Sequence, residues 1–210
     1  MRPHLKGHLD LSMALLDVTG EVVGSVEEEV EHVWYGMLPQ DGQLGELVKQ
    51  AFVTRHLQEQ CQGVLAFDRD QPKVRTVLRV RRVNREKSVL TRKTRTDDMP
   101  GCLEKSTEIL DSEFKFYTEV FGTGIAKMRH TIDVMAFEGK LELDVFLDKH
   151  GHPTGAAKYD WEVKKSAAGA PLPPLPITLI NQVYFDPFNP TDEGIANLRN
   201  FMQAQSFRYD

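Results

Sequence analysis

The sequence has few cysteines, no long apolar run and no excess of positive charge. Among its 210 residues, only Cys61 and Cys102 are cysteines, and their spacing fits neither a metal site nor a disulfide framework, so we expect reduced thiols. Without an apolar run of about 20 residues, no membrane span or signal peptide is predicted, and we expect a cytoplasmic protein. The formal net charge of -5 excludes general affinity for duplex DNA, so binding an anion would require a local basic cluster.

Length and composition predict one globular domain with short additions. Hydrophobic residues make up 40% and charged residues 27%, which is typical of a soluble protein with a real core. We expect an N-terminal extension over residues 1–25 with a possible hairpin, a main domain over 26–165, a Pro/Ala-rich linker over 166–176, and a C-terminal helical segment over 177–210 packed on the main domain.

Three segments carry helical signals. In DGQLGELVKQAFVTRHL, apolar residues recur on one helical face up to Phe52, which places His56 on a helix without a partner. DSEFKFYTEVFG predicts a short helix. Near the C-terminus, Thr191 or Asp192 is suited to cap a helix that carries Ile195 and Met202 at helical spacing.

Most of the remaining chain alternates between apolar and polar residues, as strands do. The segments are EEEVEHVWYGM, QGVLAFD, TVLRVRRVN, SVLTRKTRT, CLEKSTEIL, IAKMRHTIDVMAF, KLELDVFLD and AKYDWEVKK. Such short strands at close spacing favour a mainly β fold, either an antiparallel barrel or a sandwich.

Six of these strands carry charge on one side and apolar residues on the other. The charged sides are Glu27, Glu29 and Glu31; Arg79 and Arg81; Lys93 and Arg95; Lys127 and Arg129; Glu142 and Asp144; and Asp160, Glu162 and Lys164. One such strand is ordinarily a solvated surface, but six in succession predict a closed sheet. Its apolar face would pack outward against helices, and its charged face would line a lumen.

The charged residues of these strands are of the types that bind phosphate groups and divalent cations. Arginines and lysines from neighbouring strands converge well on a polyphosphate. Carboxylates beside them suit Mg²⁺ or Mn²⁺, which prefer oxygen ligands and bridge to phosphates. In this interpretation Asp160 and Glu162 hold metal and Lys164 contacts phosphate. A plainer alternative is a structural barrel whose acids and bases neutralise one another and bind no anion.

Five short motifs follow one another in a specific order: LRVRR, LTRK, AKMRH, LELDVF and YDWEVKK. With them, residues 26–165 resemble the triphosphate tunnel metalloenzyme superfamily, also called the CYTH domain. The resemblance implies a closed antiparallel eight-stranded barrel with a charged lumen, flanking helices and a C-terminal helix. Members of the superfamily include inorganic, thiamine and RNA triphosphatases and class IV adenylate cyclases.

The resemblance also implies roles for individual residues. The phosphate-binding residues would be Arg79, Arg81, Lys93, Lys127, Arg129 and Lys164. The metal ligands would be Glu29, Glu31, Glu108, Asp144, Asp160 and Glu162, of which Glu29, Glu31 and Glu162 would also be catalytic. Two positions depart from the pattern: Val33 stands where the opening motif has lysine, and Ser106 stands where another carboxylate is expected.

These roles predict a phosphohydrolase that depends on Mg²⁺ or Mn²⁺ and cleaves the γ-phosphate of tripolyphosphate, a nucleoside triphosphate or an RNA 5′-triphosphate. Two alternatives use the same barrel. One is a class IV-type adenylate cyclase, which would release pyrophosphate and cyclic AMP. The other is a non-catalytic module that binds a nucleotide, a polyphosphate or an RNA 5′ end.

Overall fold

The computed structural model describes residues 29–67, 74–96, 103–134, 137, 140–164 and 169–208. The predicted N-terminal extension and Cys102 lie outside these residues. The strands are β1 (Glu29–Met37), β2 (Val53–Phe67), β3 (Val74–Val83), β4 (Lys87–Thr96), β5 (Leu103–Ile109), β6 (Thr123–Ile132), β7 (Lys140–Leu147), β8 (Pro153–Lys164), β9 (Ile180–Phe185) and β10 (Phe207–Arg208). The helices are α1 (Gln43–Leu47), α2 (Asp111–Phe121) and α3 (Asp192–Ala204).

The strands form one antiparallel sheet, as predicted for a mainly β protein. Nine follow the order β5-β4-β3-β2-β6-β7-β8-β1-β9, and β10 pairs with β6. The sheet has ten strands, and no ladder joins its end strands β5 and β9 within the described residues. The predicted closed eight-stranded barrel is therefore not confirmed. The physical reason is that β1 pairs with β8 along one edge and with β9 along the other.

β9 reaches β1 because a glycine leaves room for it. A Cβ atom added at Gly36 would meet the carbonyl oxygen of Ile180 at 2.7 Å, so a larger residue there would push the two strands apart. The segment 177–210, predicted as helical, thus contributes two strands to the sheet in addition to α3.

One face of the sheet is apolar and holds the main core. Leu141 and Leu143 of β7 and Tyr159 and Trp161 of β8 point to this face and are almost completely buried. Their side chains alternate with the charged residues of the same strands, as the period of two requires. The alternation of apolar and charged residues in the sequences of β7 and β8 therefore corresponds to the tightly packed core on the apolar face.

A strap, defined as residues 171–179, covers this apolar face. Pro173, Ile177 and Leu179 are buried, and the Ile177 N–H donates a hydrogen bond to the Tyr159 hydroxyl at 3.2 Å. Burying an Ile or Leu side chain contributes about 1.5–3 kcal/mol. The prolines keep the strap extended, and the second half of the predicted linker thus packs on the sheet.

The α1 and α2 helices lie on the same face of the sheet. The predicted helix over 41–57 is wrong beyond Leu47, because residues from Val53 onward join β2. The predicted second helix is confirmed as α2, whose Phe114 packs with Cys61 and Val80 in a second core cluster. Burial raises the pKa of the Cys61 thiol to about 12, which keeps it protonated and unreactive.

The predicted C-terminal helix is present as α3. The Thr191 side chain caps it by accepting a hydrogen bond from the Gly194 N–H at 3.0 Å. Its Phe201 packs with Phe146 of β7, a residue on the sheet face opposite the strap. Among the described residues, no helix has the length and apolar character needed to cross a membrane.

Candidate functional site: a polar sheet face with a buried ion-pair cluster

The face of the sheet opposite the strap carries the charged residues, and we call it the polar face. Antiparallel registers align its side chains in rows across the strands. In one row, Arg129 of β6 lies opposite Asp144 of β7, and Asp144 lies opposite Lys158 of β8. Directly opposite residues have Cβ atoms about 4.5–5.5 Å apart, so each row brings its side chains into contact.

Six residues of the polar face form a dense set of ion pairs, which we call the β6–β8 cluster: Lys127, Arg129, Glu142, Asp144, Lys158 and Asp160. Asp144 lies at its centre with no solvent exposure. Its Oδ2 accepts from Lys127 Nζ at 2.5 Å, and its two oxygens accept from Arg129 Nε and Nη2 at 2.7 and 2.8 Å. Such a bidentate arginine pair fixes both side chains.

The outer acids of the cluster are also paired. Lys158 Nζ donates to both oxygens of Asp160, at 2.6 and 2.5 Å, and lies 3.9 Å from Asp144. Arg129 also contacts Glu142, which in turn pairs with Lys140 at 2.8 Å. The three buried acids are therefore balanced by the buried Lys127 and by Arg129 and Lys158, whose side chains are 13% and 11% exposed, which reduces the cost of burying charge.

The two buried aspartates have opposite pKa shifts. Burial acts to raise the pKa of Asp144, but the charges of Lys127 and Arg129 outweigh it and hold this pKa well below its usual range. Burial raises the pKa of Asp160, and the negative charges of Asp144 and Glu31 add to the effect, although Lys158 opposes it. Asp144 is therefore a fixed negative charge, whereas burial favours the neutral form of Asp160.

The pKa values of the two lysines of the cluster also depend on burial and on neighbouring charges. Burial, together with the neighbouring Arg129 and Lys158 charges, lowers the pKa of Lys127 to about 8 even though Asp144 is its partner. The pKa of Lys158 is raised despite burial, because Asp160, Asp144 and Glu31 surround it. Three cations thus share Asp144, and Lys127 is the one of the three whose pKa is lowered.

The other half of the polar face lies on β3, β4 and β5, and we call it the β3–β5 half. Arg79 lies opposite Thr91, and Thr91 lies opposite Ser106, with 2.9 Å between the two hydroxyl oxygens. Arg81 and Lys93 share this face and are half-buried. The position where the resemblance implied a carboxylate therefore holds a hydroxyl that bonds to the neighbouring strand.

The structure brings four of the predicted site residues together in the β6–β8 cluster: Lys127, Arg129, Asp144 and Asp160. Glu31 and Glu162 lie opposite each other on β1 and β8, with Glu31 exposed and Glu162 half-buried. Glu29 and Lys164 are register partners at the ends of the same two strands.

Glu108 is not brought into this group. It is exposed on the end strand β5 and pairs with Lys87 at 3.3 Å. In the order of the sheet, β4, β3, β2 and β6 lie between its strand and the strand of Asp144. Its predicted role as a metal ligand has no support from its described contacts.

Sequence reasoning missed two members of the cluster and one pair beside it. Lys158 and Glu142 were left out of the predicted site, although Lys158 precedes Asp160 by two residues and so shares its face. His56 was placed on a helix without a partner, but it lies on β2 opposite Arg129, with its Nε2 2.7 Å from Nε2 of Gln58. The alternation of VTRHLQEQ was the signal available in the sequence.

The donor chemistry of the polar face fits a hard divalent cation. Asp160, Glu162 and Glu31 offer oxygen ligands on adjacent strands. Burial raises the pKa of Asp160, and the charges of Asp144 and Glu31 add to this effect, which a bound cation would oppose. Within the described part of the chain, no three His, Cys, Asp or Glu residues converge as a ready-made metal site. Mg²⁺ is commonly held by one or two carboxylates plus substrate phosphates, so a pair of these carboxylates would suffice.

Comparison with known proteins gives similarity to solved structures only. No protein-family model and no curated protein matches the chain. Among the similar structures, the hypothetical protein NE1496 has 19% identity and a TM-score of 0.41, covering 72% of this chain and 87% of its own. The PH1819 protein from Pyrococcus horikoshii OT3 has 16% identity and a TM-score of 0.39, covering 87% of this chain and 94% of its own.

A third structure comes from Hippeastrum and is described as a putative adenylyl cyclase, HpAC1, with a dominant triphosphatase activity. It has 15% identity and a TM-score of 0.41, and the match covers 66% of this chain and 82% of that protein. All three TM-scores lie below 0.5.

Proposed function

We propose that this protein is a phosphohydrolase that depends on Mg²⁺ or Mn²⁺ and cleaves the γ-phosphate of a triphosphate substrate. One observation carries the proposal: three buried carboxylates and three largely buried bases share one face of three adjacent strands. A metal–triphosphate complex also combines cationic and anionic charge, so it can take the place of these ion pairs without leaving buried charge unpaired.

In the proposed complex the bases and acids exchange partners. Lys127 and Arg129, which now donate to Asp144, would donate to phosphate oxygens instead. The remaining phosphate contacts would come from Arg79, Arg81, Lys93 and Lys164. Fixed donors around the transferring phosphoryl group stabilise its charge, and most catalysis of phosphoryl transfer comes from such positioning.

The carboxylates would then serve the metal and the attacking water. A bound Mg²⁺ or Mn²⁺ would neutralise charge on the phosphates, held by ligands drawn from Glu29, Glu31, Asp144, Asp160 and Glu162. In our proposal Glu31 and Glu162, which face each other across the β1–β8 ladder, orient the water and accept its proton. Glu29, in the same ladder, has the same proposed role.

This function requires the polar face to surround the substrate. The strap, α1 and α2 all pack on the opposite face, which leaves the charged side chains directed away from these elements. We therefore propose that β1 to β8 curve with the polar face inward, as in the tunnel that the sequence resemblance implies.

The proposal is tested by measuring orthophosphate release from tripolyphosphate, ATP and 5′-triphosphate RNA, with and without Mg²⁺ or Mn²⁺. We expect metal-dependent release by the wild type and its loss in Glu162→Ala. Glu46→Ala is the matched control, because Glu46 is an exposed acid on α1 that pairs only with Lys49 among its described ion pairs. Absence of release from all three substrates would refute the hydrolase, and cyclic AMP with pyrophosphate would instead identify a cyclase.

A second candidate is a module that binds a triphosphate without turnover. It is favoured by the pairing of every buried carboxylate of the β6–β8 cluster with a base in the described structure. Titration calorimetry with tripolyphosphate in EDTA separates the two functions. Tight binding without metal, and no product after metal is added, would support the binding module.

A further inference from the structure

Strand β2 lies between the β3–β5 half and the β6–β8 cluster, and its described side chains on the polar face include a neutral row of His56, Gln58, Gln60 and Gln62. Gln58 is opposite Lys127 of β6, and Gln60 is opposite Arg81 of β3. The N–H groups of this row can donate to phosphate. Phosphate oxygens only accept, however, so an inorganic triphosphate gives no role to a glutamine carbonyl oxygen.

Gln58 is the most informative residue of this row. Its side chain is 3% exposed, and its Nε2 lies 2.7 Å from Nε2 of His56. Burial and the nearby Arg129 charge lower the pKa of His56, so the imidazole is neutral and can accept the amide N–H. The Gln58 Oε1 atom is buried and has no hydrogen-bond partner.

A buried carbonyl oxygen without a partner is costly, and such groups require an explanation. The nearest candidate donor in the register, Lys127, directs its Nζ to Asp144 at 2.5 Å. Deprotonated phosphate oxygens are acceptors and would repel this carbonyl. The hydroxyl groups of a ribose and the exocyclic amine of a base are donors, and glutamine is well suited to read such groups.

We infer that Gln58 is a specificity-determining residue that accepts a hydrogen bond from the nucleoside part of the substrate. The preferred substrate is then a nucleoside triphosphate or a nucleotide chain with a 5′-triphosphate, and inorganic tripolyphosphate is a poorer one. This inference rests on the proposed function, because the cations on both sides of β2 must hold the phosphates.

The test compares kcat/KM for ATP and for tripolyphosphate in the wild type and in Gln58→Met, which keeps side-chain length but removes the acceptor. We expect a loss of about tenfold for ATP, the effect of one net hydrogen bond, and no change for tripolyphosphate. Gln203→Met, an exposed substitution on α3, is the control and should change neither value. Equal losses for both substrates, or no loss for ATP, would overturn the inference.

Binding to the wild type provides a second measurement that does not depend on turnover or on the folding of the variant. Titration calorimetry should give a lower Kd for ATP than for tripolyphosphate. Equal Kd values, or tighter binding of tripolyphosphate, would overturn the role of Gln58. Failure to release orthophosphate from either substrate would instead refute the proposed hydrolase, so the two failures are distinguishable.

Discussion

The two halves of the polar face have the same sequence pattern but different environments. In the β6–β8 cluster, each base has a carboxylate on the same or a neighbouring strand, and the charges are buried and balanced. In the β3–β5 half, Arg79 lies opposite Thr91, whose hydroxyl bonds to Ser106, and Lys93 lies opposite Glu104 on the end strand β5. The first half therefore has the buried charge pairs on which stability should depend, whereas the bases of the second half are half-buried.

The largest expected effect concerns Asp144. In Asp144→Asn, Lys127 and Arg129 stay buried without their common carboxylate, so we expect the free energy of unfolding to fall by about 3–5 kcal/mol. Urea denaturation followed by circular dichroism measures this change. Glu59→Gln is the control, because Arg82 keeps Asp111 as a second partner. A loss of under about 1 kcal/mol for Asp144→Asn would show that the cluster is not a stability element.

The next prediction compares two neighbouring arginines of β3, one assigned to phosphate binding and the other to stability. Arg81 lies on the polar face, whereas Arg82 points to the other side, where it pairs with Glu59 at 2.8 Å and lies 4.6 Å over the Phe114 ring. We expect Arg81→Ala to lower kcat/KM about 100-fold, the usual cost of removing one donor to a transition state.

Arg82→Ala should do the opposite. It should lower the melting temperature and leave kcat/KM nearly unchanged, because its contacts hold α2 to the sheet. If both variants lose activity equally, the assignment of Arg81 to phosphate binding is wrong.

The pH dependence of stability should differ between the wild type and Asp144→Asn. The Asp144 pKa is lower in the folded protein than its unfolded value of about 3.9, because Lys127 and Arg129 outweigh burial. Its ionised form therefore contributes stability above about pH 4, and this contribution is lost as pH falls toward the folded pKa. Urea midpoints measured from about pH 6 to pH 2 should show the wild type losing more stability than the variant. Parallel curves would contradict the shift.

The smallest effect is expected at the exposed end of the β3–β5 half. Glu108 and Lys87 form an exposed pair at 3.3 Å, and such pairs contribute about 0.2–1 kcal/mol. Glu108→Ala should therefore change the free energy of unfolding by less than about 1 kcal/mol and leave metal-dependent release intact. A tenfold loss of release would restore Glu108 as a metal ligand.

The sequence predicted the strands well, since alternation determines which side chains share a face. Asp144, Asp160 and Lys127 were correctly expected on the charged side of their strands. Contacts between side chains of different strands were harder to predict from the sequence. The pairing of Asp144 with Lys127 and Arg129 depends on the register of β6 and β7, which no single strand encodes.

One error has a local physical cause, the extent of the first helix. Helical spacing from Leu44 to Phe52 predicted a long helix, yet Phe52 is 49% exposed and the chain extends into β2 because its backbone pairs with both β3 and β6. Tertiary pairing outweighs local propensity there. The prolines of the strap correctly predicted extended structure, but their packing against the core depends on the shape of the apolar face.

The strap has a consequence for biosynthesis. A ribosome makes residues 171–179 after β7 and β8, so Leu141, Leu143 and Trp161 have no cover while those strands are first assembled. The nascent chain therefore passes through a stage in which a contiguous apolar surface faces solvent or a chaperone. Translation that stops shortly after Lys164 would leave a polypeptide that has β1 to β8 but lacks β9, β10 and the strap. Its apolar surface would stay open, which makes such a product prone to aggregate and a target of protein quality control.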